Sequence, residues 1–167
     1  MSKSHLPVLG VGPLYVAILG LLTGTALLAY VCGVIAFADI QAMWLRIGLG
    51  IVGGLIALAG VAVWIAVVFR SRIVARIKDG QLVRTGVYAW VRHPIYSSYT
   101  LMAAGLLIAL GNWVLLGAPV LLWGLLSMMM VATEERWMRE RFGTDYENYC
   151  KQVNRCIPWP PRDSNVL

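Results

Sequence analysis

Charge is what this chain has least of. Asp, Glu, Lys and Arg make up 13% of its 167 residues, and only 8 of them are acidic. What charge exists avoids three long stretches: none lies between Lys3 and Asp39, between Arg46 and Arg70, or between His93 and Glu134. With 59% hydrophobic residues and a mean hydropathy of +0.73, that spacing excludes an ordinary soluble domain. Cysteine is scarce as well. Cys32 falls in the first apolar stretch, while Cys150 and Cys156 fall on the side expected to be cytoplasmic, so no structural disulfide is expected. The spacing Cys150-x5-Cys156 fits no zinc pattern, and with 2 histidines in the chain no metal site is expected. No repeat of solenoid length is visible.

What is there is apolar sequence in bilayer-sized lengths. A hydrocarbon core takes roughly 20 apolar helical residues. The first two charge-free stretches each hold one span, about 15–37 and 47–69. The third is about twice as long and has a natural break at Gly111-Asn112-Trp113, which makes it a tight helical hairpin, about 94–110 and 114–131. The expected fold class is all-α: a polytopic membrane protein of four transmembrane helices plus a cytoplasmic C-terminal helix, in one domain over 1–167. The first apolar stretch is much longer than the roughly 7–15 residues of a signal peptide and is expected to remain as an anchor.

With four spans, both termini and the 70–93 connection share a side. Every Lys and Arg except Arg46 falls there. The positive-inside rule therefore places both termini in the cytoplasm, as for a bacterial inner-membrane protein. The net charge of +6 is first a topology signal and second a basic face toward anionic headgroups. A nucleic-acid partner is not expected, because the cations flank spans and form no separate domain.

Local patterns fill in the connections. Met1–Gly12 reads as a short tail with a loose helix start at Gly10-x-Gly12. Gly20 with Gly24, and Gly50 with Gly54, have the four-residue spacing that permits close helix packing. After Phe69, Ile73 and Ile77 share a face beside Arg72 and Arg76, as in an interfacial helix, and Lys78-Asp79-Gly80 is a turn signal. Thr133–Phe142 continues the fourth span, with Glu135 and Arg139 paired at i,i+4, and Gly143 ends it. Thr144 and Glu147 have the capping-box spacing that starts a last helix, which carries Tyr146, Tyr149 and Val153 on one face.

Ionisable residues at the edges of the spans are where chemistry is to be sought, because burying them is costly. Pro94 suits a first helical position, and the free N–H groups of that turn attract an anion. Arg92 and His93 just before it add a fixed cation and a titratable donor. The competing reading is a snorkelling Arg with a helix-capping His. Glu134-Glu135 stands where the fourth span meets the cytoplasm, suited to hydroxyls, amines or a cation. Consecutive helical residues point about 100° apart, so at most one of the two faces a given pocket, and the competing reading is a solvated face with Glu135 simply paired to Arg139. Tyr88, Trp90, Tyr96 and Tyr99 are candidate aromatic walls for a cation such as a sulfonium. Trp90 fits the interfacial belt better, and Tyr88 and Tyr96 fit a pocket better.

Taken in order, Gly86-x-Tyr88-x3-Arg92-His93-Pro94-x-Tyr96, then Glu134-Glu135, then Phe142-Gly143-x2-Tyr146-x2-Tyr149 resembles the isoprenylcysteine carboxyl methyltransferase and phospholipid methyltransferase group of integral membrane enzymes. The resemblance covers about 82–158. It implies S-adenosylmethionine as methyl donor, with Arg92, His93 and Tyr96 at its methionine end. Gly86 and Tyr88 would lie along the cofactor, and Glu134 or Glu135 would meet the ribose or ammonium. It implies a lipophilic or membrane-delivered acceptor, such as an isoprenylcysteine carboxylate, among membrane lipids. Two positions depart from the family pattern: Ser98 stands where a Gly is common, and Gln152 where the prenylcysteine enzymes commonly have an Arg that meets the acceptor carboxylate. Arg155 is the nearby substitute, expected from the same helix. The rival expectations are an NADPH-dependent membrane reductase of related architecture and a non-catalytic relative that binds a lipid or partner.

Overall fold

Backbone N–H and C=O groups in hydrocarbon have only each other as partners, so the charge-free stretches close into helices. The structure, a computed structural model, describes residues 12–70 and 82–160. Helix α1 covers Gly12–Val31, and α2 covers Met43–Ile65 and runs on through a π-helical turn at Ala66–Arg70. Next come α3 (Pro94–Ala109), α4 (Trp113–Leu116), α5 (Ala118–Ala132), α6 (Glu134–Phe142) and α7 (Thr144–Gln152). No strand occurs among the described residues, where isolated bridges join Asp39 to Asn112 and Val91 to Asn154.

Three stretches are long and apolar enough to cross a membrane: Gly12–Val31, Met43–Phe69 and Trp113–Phe142. The apolar α3 lies beside them but has 16 residues, about 24 Å at ~1.5 Å per residue. The protein is thus the expected all-α polytopic membrane protein, with a shorter third helix.

The first span stops earlier than the charge pattern suggests. Its helix ends at Val31 because Gly33 takes a φ of +74°, and the chain then turns through a 3₁₀ segment at Ala36–Ala38. Cys32 therefore sits just beyond the helix and is exposed. The break at Gly111-Asn112-Trp113 is where it was expected, and the side chain of Asn112 shows why. Its Oδ1 accepts from the N–H groups of Val114 (3.0 Å) and Leu115 (3.4 Å), capping α4. Its Nδ2 donates to Asp39 Oδ1 (2.7 Å) and to the carbonyl of Ile35 (2.9 Å). A fully buried amide thereby fastens two connections at one end of the bundle.

Close packing does use glycine, but not the glycines whose spacing suggested it. Gly20, Gly24, Gly50 and Gly54 have nothing within 4 Å of where a Cβ would stand. The contact is between α2 and the antiparallel α3. A Cβ on Gly53 would sit 2.5 Å from the Gly105 carbonyl oxygen, and one on Gly60 would sit 2.8 Å from that of Ser98. Four-residue spacing marks one face of a helix but does not say which face has a neighbour.

The capping box also fails, for a local reason. Gly143, with φ +51°, ends α6 and is also the N-cap of α7, so Thr144 is already inside the helix. The tail before Gly12, the helix expected around Ile73 and Ile77, and the Lys78-Asp79-Gly80 turn lie outside the described residues.

At the other end of the bundle, α1 and α3 start side by side. The hydroxyls of Tyr15 and Thr100 hydrogen-bond, and a Cβ on Gly12 would press on the Tyr96 hydroxyl at 2.7 Å. Replacing Gly105 with Leu should destabilise the bundle by about 1–3 kcal/mol, as overpacking does. Gly54→Leu, on the open face, should stay within about 0.5 kcal/mol. Thermal unfolding in detergent, followed by circular dichroism, distinguishes the two.

Candidate functional site

The polar residues singled out in the sequence meet where α3 begins and α5 ends. Pro94 is the first residue of α3 and His93 is its N-cap, as the helix-start reading requires. His93 does not cap with its side chain, so the capping alternative falls. The segment before it is held by the chain beyond α7: the N–H of Arg92 donates to the Asn154 carbonyl at 2.9 Å, and that of His93 to the Arg155 carbonyl at 3.3 Å. Further on, the Trp159 N–H donates to the Trp90 carbonyl at 3.1 Å. This short parallel pairing delivers Arg92, His93 and Arg155 to one place.

Their common partner is Glu135. Thr133 departs from helical dihedrals (φ −125°, ψ −84°) between α5 and α6, and in the first turn of α6 Glu135 has no exposed surface. Arg155 donates to both its oxygens, Nε to Oε1 at 2.6 Å and Nη2 to Oε2 at 3.1 Å. Arg92 Nη1 stands 3.2 Å from Oε1, and Arg139 Nη2 stands 3.7 Å from Oε2. The i,i+4 pair with Arg139 is therefore present, but Glu135 is not on a solvated face. Arg155 is not on the last helix, which ends at Gln152; it stands in the extended tail after Val153.

Glu134 turns another way and keeps some exposure. Its Oε1 accepts from the Tyr96 hydroxyl at 2.5 Å, and its Oε2 stands 3.5 Å from His93 Nδ1. His93 Nε2 points toward Glu135 at 3.7 Å but has no hydrogen-bond partner, and neither do Arg92 Nε and the Tyr146 hydroxyl, all three buried. Tyr88 is partly buried above the cluster, and its carbonyl accepts from the Tyr149 hydroxyl at 2.6 Å. Gly86, with φ +67°, leaves its backbone open beside a 3₁₀ turn over Gly86–Ala89. Trp90 is exposed, and Tyr99 is partly buried and packs against the helical core. Sequence reasoning missed Cys150, whose thiol accepts from Arg92 Nη1, and Tyr15, whose ring meets that of Tyr96 edge-on at 5.5 Å. Neither carried a signal, since both contacts join residues far apart in the chain.

Electrostatics follows from these distances. Burial disfavours the Glu135 carboxylate, but the nearby imidazole of His93, the hydrogen bonds of Arg155 and the charges of Arg92 and Arg155 prevail, holding it down at about 2. Burial likewise opposes a charged His93, yet Glu134 and Glu135 together hold its imidazole above the ordinary 6.5. Tyr88 is pushed up to about 12 by burial and by the nearby charge of Glu134.

Fold and site together define a class: a polytopic helical membrane protein with a cluster of buried ion pairs at one end of its bundle. Residues 47–145 match the model of the phospholipid methyltransferase family, and the chain belongs to that family. Among its relatives is the protein-S-isoprenylcysteine O-methyltransferase of Schizosaccharomyces pombe, 43% identical over 94 residues, which are 54% of this chain and 39% of that protein. The corresponding Saccharomyces cerevisiae enzyme is 35% identical over 82 residues, 48% of this chain and 34% of its own length. A protein of Oryza sativa subsp. indica, named as a probable protein-S-isoprenylcysteine O-methyltransferase, is 27% identical over 141 residues, 80% of this chain and 72% of that protein. The chain thus spans well under half the length of the two yeast relatives.

The Glu135 cluster should be visible in stability. Its carboxylate is held low, so its contribution is complete above the ordinary 4.5 and is lost as pH falls through that value toward about 2. His93 is raised, so its contribution is complete below 6.5 and is lost as pH climbs past its elevated folded value. Glu135→Ala should cost about 3–5 kcal/mol, because it leaves Arg92 buried without a counter-ion. Unfolding midpoints measured from pH 3 to 9 should show the acid loss in the parent protein and not in Glu135→Gln.

Proposed function

We infer that this protein transfers a methyl group from S-adenosylmethionine to the carboxylate of an isoprenylcysteine-type lipophilic acceptor. One observation carries the reading: Arg92, His93 and Tyr96 from the start of α3, Glu134 from α6 and Arg155 from the tail converge at one end of an apolar bundle. Family membership and the names of the relatives support the reaction class.

The site suits the donor. Its methionine end has a carboxylate and an ammonium, and the unpaired buried donors Arg92 Nε and His93 Nε2 match the former. Glu134, with its remaining exposure, matches the ammonium or a ribose hydroxyl. Glu135 is the internal counter-ion that holds Arg92, His93 and Arg155 in place, so of the two glutamates Glu134 is the one assigned to the ligand. Tyr88 and the open backbone at Gly86 lie along the cofactor.

When bound, S-adenosylmethionine supplies an electrophilic methyl on a sulfonium, which a carboxylate oxygen takes in one displacement as a C–O bond forms and the C–S bond breaks. A carboxylate is already anionic, so no side chain has to remove a proton. What the residues contribute is position: near-attack alignment alone accounts for much of such a barrier. Tyr96 and His93 orient Glu134. Arg155, anchored on Glu135 through two nitrogens, holds the acceptor carboxylate.

The test is calorimetric titration of the detergent-purified protein with S-adenosylmethionine and, separately, NADPH. His93→Ala and Glu134→Ala should each weaken S-adenosylmethionine binding tenfold or more, about 1.4 kcal/mol. Saturable binding of NADPH alone would overturn the reading in favour of a reductase. Arg155→Lys keeps a cation and should lower kcat with the acceptor at least tenfold while leaving the cofactor Kd within about threefold. A change mainly in cofactor Kd would move Arg155 to the donor side.

A further inference from the structure

Tyr96 orients Glu134, and the orientation of Tyr96 is itself fixed from outside the polar cluster, by the first turn of α1. Gly12 lays its backbone against the Tyr96 side chain. A Cβ there would stand 2.7 Å from the Tyr96 hydroxyl oxygen and 3.2 Å from Cε1. Three residues on, the fully buried ring of Tyr15 meets the Tyr96 ring edge-on, the centroids 5.5 Å apart and the planes at 76°. The His93 ring lies tilted against the Tyr96 ring at 6.0 Å.

Tyr15 also reaches the main chain of the same residue. The Thr100 hydroxyl donates to the Tyr96 carbonyl at 2.9 Å and hydrogen-bonds the Tyr15 hydroxyl. A hydroxyl has one hydrogen to give, so Tyr15 is the donor in that second bond. The chain of bonds runs from Tyr15 through Thr100 to the Tyr96 carbonyl. Tyr96 is thus gripped by its ring and by its backbone, with its hydroxyl on Glu134 Oε1. Gly12 and Tyr15 both precede the residues that match the family, 47–145.

We propose that the first turn of α1 is a positioning element of the cofactor site: Gly12 and Tyr15 hold the Tyr96 hydroxyl on Glu134, so that Glu134 presents one orientation to the ammonium or ribose of the methyl donor. The role rests on the methyl-transfer reading for the identity of that ligand. A partly exposed glutamate has rotamer freedom that a ligand must otherwise freeze on binding. Ordering the carboxylate beforehand leaves more of the contact energy as affinity. Gly12 and Tyr15 are positioning residues, acting through Tyr96.

The experiment is a mutant cycle on the detergent-purified, full-length protein with two readouts. The first needs no ligand. The chain has 2 histidines, His5 and His93, so isotopic labelling at histidine Cε1 gives two signals for nuclear magnetic resonance, and His93→Ala assigns them. The Tyr96 hydroxyl draws charge from Glu134, whose other oxygen stands 3.5 Å from His93 Nδ1. Gly12→Ala pushes that hydroxyl off Glu134 and should move the His93 titration upward by about half a pH unit, in the same direction as Tyr96→Phe. The double variant should titrate like Tyr96→Phe alone. The second readout is calorimetry with S-adenosylmethionine. Gly12→Ala should weaken binding at least threefold in the parent and leave it unchanged in the Tyr96→Phe background. Tyr15→Leu should also weaken it at least threefold, with Tyr15→Phe, which keeps the ring, falling between. Gly20→Ala, on the same helix with open space beside it, should change neither readout. A Gly12→Ala protein whose His93 titration does not move, or whose effect persists undiminished in Tyr96→Phe, overturns the proposal and leaves packing alone. A parent protein that binds no S-adenosylmethionine removes the methyl-transfer reading, and the His93 titration then decides by itself whether α1 sets the Tyr96–Glu134 pair.

Discussion

A carboxylate with no exposed surface organises this protein's functional end. Withdrawing one ion from water costs several kcal/mol, and Glu135 recovers that only because Arg92, His93, Arg139 and Arg155 reach it together. Those four come from the start of α3, from its own helix and from the tail beyond α7. The ion cluster thus ties the hairpin, the α5–α6 junction at Thr133 and the tail into one arrangement, and none of the three can shift without exposing or unpairing a charge. Neighbouring Glu134 is spared this duty and keeps part of its surface. Adjacent, chemically identical side chains acquire different roles because consecutive helical residues point about 100° apart.

At the opposite end the fastening is made of side-chain hydrogen bonds, with no cation in it. Asn112 and Asp39 join two connections through an amide and a carboxylate oxygen, and between the ends α2 and α3 meet backbone to backbone at Gly53, Gly60 and Gly105. The bundle is therefore tight at its α2–α3 seam and pinned at both faces. Its looser surface is the outward side of α5, where the side chains of Met128 and Val131 meet lipid.

How legible was this in the chain itself? Span existence was legible, because charge is so costly in hydrocarbon that its absence marks the helices. The hairpin break at Gly111-Asn112 and the place of Pro94 were legible for local reasons, a cap and a missing N–H. Membership of the methyltransferase family was legible from the ordered polar motif. Illegible were the features that depend on a distant neighbour. Gly50 and Gly53 look equally suited to packing until α3 lies against one of them. Glu135 looks like a surface residue until Arg92 and Arg155 arrive, and Arg155 was expected on a helix that in fact stops at Gln152. The early end of α1 was missed because an apolar run does not reveal where Gly33 turns it.

The pairing of the segment before α3 with the tail has a consequence for biogenesis. Arg155 is synthesised 63 residues after Arg92, an interval of about 3–13 s at ~5–20 residues per second. Until Glu135 follows, 43 residues after Arg92, the cations at the head of α3 have no carboxylate partner, and until Arg155 they have no tail to pair with. Insertion of the spans and assembly of the polar site are accordingly separate events in the life of the chain, and the second waits for nearly the last residues described.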